Sequence, residues 1–208
     1  MYTPRFNKVD DRALLIEAMR SYSFAILFGP LNDSTVSPSQ TATHLPLVVR
    51  DEGPHGILEG HFAKANPHWQ SLADRETLVV FSGPHTYVSP TLYAEPLSVP
   101  TWNYIAIHAY GTLAIIDINA EKESLLARLI EANEPAYSGR WGSLPDGFRR
   151  TMLAGIVGFR IPISRIEGKF KLSQNRPESD RRNVHAAQAA GSDDQRALAA
   201  WMKRLTEC

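Results

Sequence analysis

Between Trp102 and Ile116 the chain alternates with a period of two. Odd positions Ile105, Ile107, Ala109, Gly111, Leu113 and Ile115 are apolar, while even positions include Trp102, Tyr104, His108, Tyr110 and Thr112. That period is the signature of a β-strand with two different faces. The even face carries rings and a histidine where a solvated strand would carry charges, so it is read as covering a ligand or a second subunit. Shorter strand-like runs lie at 23–28, 42–50, 57–62, 77–82 and 156–166, and a polar, Ser/Thr-rich link separates the first two. Pro162 in the last run argues for an edge or a bulge.

Helical spacing predicts six helices. The first covers 10–22, with Asp10 as cap and Leu15, Ala18, Met19 and Tyr22 on one face. A short helix is expected over 67–73, because Asn66 followed by Pro67 matches an N-cap and a first-turn proline. A longer one covers 120–133, capped by Asn119, with Leu125, Leu126, Leu129 and Ile130 inward; a shorter one covers 144–153. Helices over 178–190 and 193–206 end the chain, the latter opened by a Ser192–Gln195 capping box.

Residues 81–104 are different. Pro84, Pro90, Pro96 and Pro100 interrupt them, and Phe81, Tyr87, Tyr93, Trp102 and Tyr104 supply rings. Proline forbids a helix interior and biases its predecessor to extended backbone. A strand–corner–strand path is expected, holding flat faces and the polar tips of His85, Ser89, Thr101 and Asn103 in place; such corners also plug barrel ends. Together these elements predict a mainly β, antiparallel barrel with peripheral helices, an α+β fold. The expected organisation is one domain over 1–176 and a helical extension over 177–208 packed on it.

Composition narrows the function. With 22 Lys+Arg against 22 Asp+Glu there is no net charge, hence no global field toward nucleic acid or membrane. Cys208 is the only cysteine, which excludes disulfide frameworks and Cys-based metal sites. No apolar run approaches the roughly 20 residues of a membrane span, and the N-terminus lacks the apolar core of a signal peptide, so a cytoplasmic protein is expected. The seven histidines show no HxH or HExxH spacing; GxSxG, GxGxxG and the P-loop are missing.

Two segments concentrate polar chemistry. In 60–67, GHFAKANP, a strand delivers His61 and Lys64 beside the start of a short helix at Asn66. A lysine near free backbone N–H groups suits a phosphate, although a capped helix with a solvated lysine is the plainer reading. In 168–176, GKFKLSQNR, Lys169, Lys171 and Arg176 crowd with Ser173, Gln174 and Asn175 after a strand. Residues 140–182 hold ten Lys/Arg against four Asp/Glu, a local excess that attracts phosphate, nucleic acid or an acidic surface. Phe170 and Leu172 alternate with the lysines, which marks this segment as half-buried.

Five motifs in order, THLPLVV (43–49), GHFAKANPHW (60–69), FSGPHTYVSP (81–90), VPTWNY (99–104) and IEGKFKLSQNR (166–176), with the opening MYTPRF and the strand IVGFRI, resemble the PaiB family of FMN-binding negative transcriptional regulators. The resemblance spans nearly all of 1–182. It implies a split β-barrel of the flavin-binding type, a homodimer, and FMN in clefts between subunits. The chemistry of FMN then suggests roles. Lys64, Asn66 and the adjacent helix start suit the phosphate, with His61 beside them; Trp102 or Tyr87 suits the ring wall; Asn103 or Gln174 suits the ring's polar edge. Ser89 is a further polar contact, and Lys169 and Lys171 are expected to contribute across the dimer. Regulation or redox sensing is the expected role. A flavin-dependent oxidoreductase and a haem-handling barrel are the alternatives. Direct DNA binding has only the basic segment in its favour, with no helix-turn-helix to support it.

Overall fold

A computed structural model describes residues 1–31 and 39–206. Most of the polar link predicted before residue 42, and Cys208, lie outside them. Among the described residues the chain forms β1 (Lys8–Val9), α1 (Arg12–Ser21), β2 (Phe24–Leu31), β3 (Ser39–Pro46), β4 (Val48–Arg50), β5 (Ile57–Ala63), α2 (His68–Leu72), β6 (Glu76–Val88), β7 (Thr101–Thr112), β8 (Ala114–Ile116), α3 (Asn119–Asn133), α4 (Ser138–Ser143), α5 (Asp146–Ala154), β9 (Ile156–Lys171), α6 (Glu178–Ala189) and α7 (Asp193–Thr206). The nine strands are ordered β3-β2-β6-β7-β9-β5-β4, with β1 and β8 also paired to β9. The expected antiparallel α+β class is the class observed.

The alternation that predicts β7 is realised residue by residue. Asn103, Ile105, Ile107, Ala109 and Gly111 are buried, whereas Trp102 and Thr112 are exposed and Tyr104, His108 and Tyr110 half-buried. Gly111 is needed for close approach: a Cβ there would fall 2.2 Å from the Pro162 carbonyl oxygen and 2.6 Å from Ile161 Cγ2.

Several local expectations are corrected. β6 does not stop at residue 82 but runs through Pro84 to Val88. β2 pairs with β6 only over Leu78–Val80, so beyond that ladder a missing N–H costs no bond on that side. The corner comes later, in a single turn at Pro90–Leu92. β9 likewise continues past Ile166 to Lys171, so the lysines 169 and 171 sit on a strand. Pro162 lies in an interior strand and not at an edge. It falls at the end of the β5 ladder, opposite Ile57, where little pairing remains to be lost. Asn119 is the first residue of α3, and Ile118 holds the cap position with no side-chain bond. Asp10 pairs with Lys8 at 2.8 Å, two residues before α1 begins. Helix α4 had no counterpart among the predicted elements.

The chain divides into two compact units. The first comprises Met1–Asp11, Ser82–Ile107 and the chain from Glu167 onward. Its core joins Phe170, Leu172, Val184, Leu198 and Trp201, all buried, with Phe170 and Trp201 edge to face at 5.3 Å. Helix α7 opens with the predicted capping box: Ser192 N–H donates to Gln195 Oε1 at 2.8 Å, and Gln195 N–H to Ser192 Oγ at 3.4 Å.

The second unit comprises Arg12–Phe81 and His108–Ile166. Leu27, Leu58, Phe62, Leu113, Leu125 and Phe159 are fully buried in it. Glu59 is also buried, and its carboxylate accepts from Arg50 at 2.9 Å and from Arg128 at 2.8 Å, which ties α3 to the β4–β5 pair. Removing one member of such a set leaves buried charge without compensation.

His68 is buried at the start of α2, with Nδ1 2.8 Å from Thr43 Oγ1. Burial holds its pKa below the ordinary 6.5, against a smaller opposing effect of the Gly29 backbone, and burial lowers His61 in the same direction. The unfolded chain therefore takes up protons more readily than the folded one, and stability is lost as pH falls below about 6.5. Urea midpoints should drop between about pH 7 and pH 5. His68→Gln should flatten that slope, and a slope unchanged by the substitution would assign the effect elsewhere.

Candidate functional site

The first unit carries a cleft of about 540 Å³, built from the chain start, residues 93–104 and the end of β9. Strand alternation explains its chemistry. Phe170 and Leu172 turn into the core, so Lys169, Lys171 and Ser173 line the cleft. Lys171 Nζ donates to the Trp102 carbonyl at 2.6 Å and to Thr101 Oγ1. Burial, and then the charges of Lys169 and Arg176, hold its pKa below the usual lysine value. An anion bound here would lower the cost of this crowded positive charge. Lys169 Nζ lies 5.4 Å from the Tyr104 ring centre, and the Arg176 guanidinium 3.9 Å from that of Tyr93.

Trp102 is 51% exposed, an unusual setting for the largest apolar side chain. Tyr87 stands edge-on to it at 6.0 Å and His85 is tilted at 6.3 Å. Asn103, by contrast, is 0% exposed. Its Oδ1 accepts from Ser173 Oγ at 3.0 Å, with Ser173 held at φ 64°, while its Nδ2 has no partner. Asn7 Oδ1 and the Tyr93 hydroxyl line the same cleft, are buried and also lack partners. Three orphaned polar atoms in one cleft, a donor and an acceptor among them, each forgo a hydrogen bond that a ligand can supply.

Of the residues singled out by sequence, the fold gathers Trp102, Asn103, Lys169 and Lys171 in this cleft, with Tyr87 packed on Trp102. Gln174 faces elsewhere: its amide is used by the Leu172 N–H at 2.7 Å and the Phe170 carbonyl. Ser89 is engaged with Thr91, through its N–H at 3.2 Å and its hydroxyl at 2.8 Å. His61, Lys64 and Asn66 belong to the second unit. There α2 starts at His68 with Pro67, not Asn66, in the cap position; Asn66 Oδ1 still accepts from the His68 N–H at 3.0 Å, from one residue before the cap, and Lys64 is exposed. His61 is half-buried with Nδ1 unpartnered, beside Leu126, Leu129 and Ile130. Asn7 and Tyr93 carry no sequence signal as site residues, because the other lining residues of the cleft lie far along the chain and no spacing links them.

The donor set fits FMN. Lysines and an arginine match a phosphate, exposed rings match the isoalloxazine face, and a paired donor and acceptor match the pyrimidine edge of that ring. A family model described as "Putative FMN-binding domain" matches residues 1–165. The chain is 36% identical over 190 residues to the Bacillus subtilis "Protease synthase and sporulation protein PAI 2", covering 88% of this chain and 87% of that protein. The flavocytochrome Anf3 of Azotobacter vinelandii superposes with a TM-score of 0.60 at 16% identity, over 81% of this chain and 72% of the other. A conserved hypothetical protein of Mycobacterium tuberculosis does so at 0.54 and 13% identity, over 86% and 95%. The fold is thus a flavin-binding split barrel and the cofactor is FMN. This chain is a member of the PaiB family of FMN-binding proteins.

Proposed function

We propose that the chain is a flavin-dependent regulator that works as a homodimer, with each FMN touching both copies. The observation that carries the cofactor part is the cleft where Asn103 Nδ2 and Asn7 Oδ1 lack partners between Trp102 and the lysines. Bound flavin supplies one- and two-electron redox chemistry. The protein's own residues then bind and orient it: Trp102 with Tyr87 against the ring, Asn103 at its polar edge, and Lys169 and Lys171 at the phosphate, joined there by Lys64 and Asn66 of the second copy. Asn103 is preferred to Gln174 at that edge because the Gln174 amide is already used by backbone. The regulatory part is supported by the relative's name, which links that protein to protease synthesis and sporulation. Among the described residues no helix is long and apolar enough to cross a membrane.

Titration of apo protein with FMN tests the lysines. Lys171→Ala and Lys64→Ala should each weaken binding by about 1–3 kcal/mol, the value of a charge-assisted hydrogen bond. Wild-type affinity in either variant removes that residue from the site.

Sedimentation tests the dimer. A cofactor that touches both chains tightens their association by mass action, so the dimer should persist to lower protein concentration when FMN is present. A monomer that binds FMN with full affinity would place the whole site within one copy.

Regulation is tested in cells carrying a deletion of the gene or the Lys171→Ala allele. A common set of transcripts should rise in both strains relative to wild type. Unchanged transcripts together with turnover of reduced nicotinamide by the purified protein would make it an oxidoreductase instead.

A further inference from the structure

The first unit has a second cleft, of about 650 Å³, between α6, α7 and the other side of the strand end that carries the lysines. That volume is in the range of small-molecule sites. Leu172 and Met202 form a buried floor, and Leu205 a half-buried one. Arg181, Arg182, His185 and Lys203 stand around it, against one acid, Glu178. Glu178 already accepts from Arg182 at 3.1 Å.

Arg181 differs from its neighbours. Its Nε is buried with no hydrogen-bond partner, and among the described residues its guanidinium has no ion pair or ring contact. Other basic side chains here are engaged: Arg176 on Tyr93, and Lys171 on Thr101 and the Trp102 carbonyl. A buried guanidinium donor without an acceptor costs free energy that a bound anion would recover. The planar fork of arginine pairs with a carboxylate, whose two oxygens can accept at once, and the apolar floor suits the body of an organic acid. No Phe, Tyr or Trp lines this cleft, so it lacks the broad ring wall that a stacked flavin uses. Nor does any lining residue fall within the 1–165 match to the FMN-binding family.

We propose that the α6–α7 cleft binds a small organic carboxylate, its head held by Arg181 and Lys203 and its apolar body resting on Leu172, Met202 and Leu205. Calorimetric titration of the full chain, saturated with FMN, tests this with decanoate as probe and decanol and decyltrimethylammonium as controls. One decanoate per chain should bind, at least about tenfold tighter than either control. Arg181→Met, which keeps most of the side-chain stem, should weaken decanoate by about tenfold and leave the FMN affinity, read from flavin absorbance, unchanged. Lys203→Glu, at an exposed position, should do the same and decides the matter if Arg181→Met does not fold. Equal binding of decanoate and decanol, no saturable decanoate binding, or wild-type decanoate affinity in the folded variants would overturn the proposal. Because decanoate binding is read directly, these outcomes are independent of where FMN sits.

Discussion

The alternation of side chains at the end of β9 is the constraint on which the site depends. Phe170 and Leu172 are buried in the first unit's core, Phe170 against the face of Trp201. A strand offers two sides only, so Lys169 and Lys171 must emerge together on the other, and Ser173 follows just past the strand end at φ 64°. A slip of one residue would bury the lysines and expose the rings, at a cost no loop could absorb. Core packing therefore sets the position of the cations. Burial, and after it their mutual repulsion, lowers the pKa of Lys171, whose ammonium is held by the Trp102 carbonyl and Thr101 hydroxyl.

The same strand end serves two clefts. Lys171 and Ser173 line one; Leu172 and Gln174 line the other. Residues lining each cleft carry buried polar atoms with no partner among the described residues, Asn7 Oδ1 and Asn103 Nδ2 in the first and Arg181 Nε in the second. Native proteins rarely leave such groups unsatisfied, and a water, an ion or a ligand is what satisfies the exceptions. The chemical difference between them is informative. The first cleft joins rings, cations and an amide edge, the complement of a flavin; the second joins cations to an aliphatic floor.

Much of this was legible in the sequence because it is local. The period of two in β7 and the Ser192–Gln195 capping box each depend on residues a few positions apart, and each is found. Lys169, Lys171, Trp102 and Asn103 were chosen for their chemistry, and the fold brings them to one cleft. Proline misled where context decided. Pro84 reads as a break and Pro162 as an edge or bulge, yet both sit inside long strands, Pro84 beyond the β2–β6 ladder and Pro162 at the end of the β5 ladder. Asn7 and Arg181 escaped notice for a different reason. Their significance is the lack of a partner, which only the assembled fold reveals.

Binding of FMN at the buried amide of Asn103 is the central claim, and the side-chain nitrogen resonance of that residue reports on it directly. In ¹⁵N-labelled protein the Asn103 Nδ2 signal, assigned by its loss in Asn103→Ser, should shift as FMN is added and saturate with the flavin absorbance change. Riboflavin, which keeps the ring but lacks the phosphate, should produce the same shift at higher concentration. An Asn103 signal that stays fixed while flavin binds would place the ring elsewhere and contradict the account.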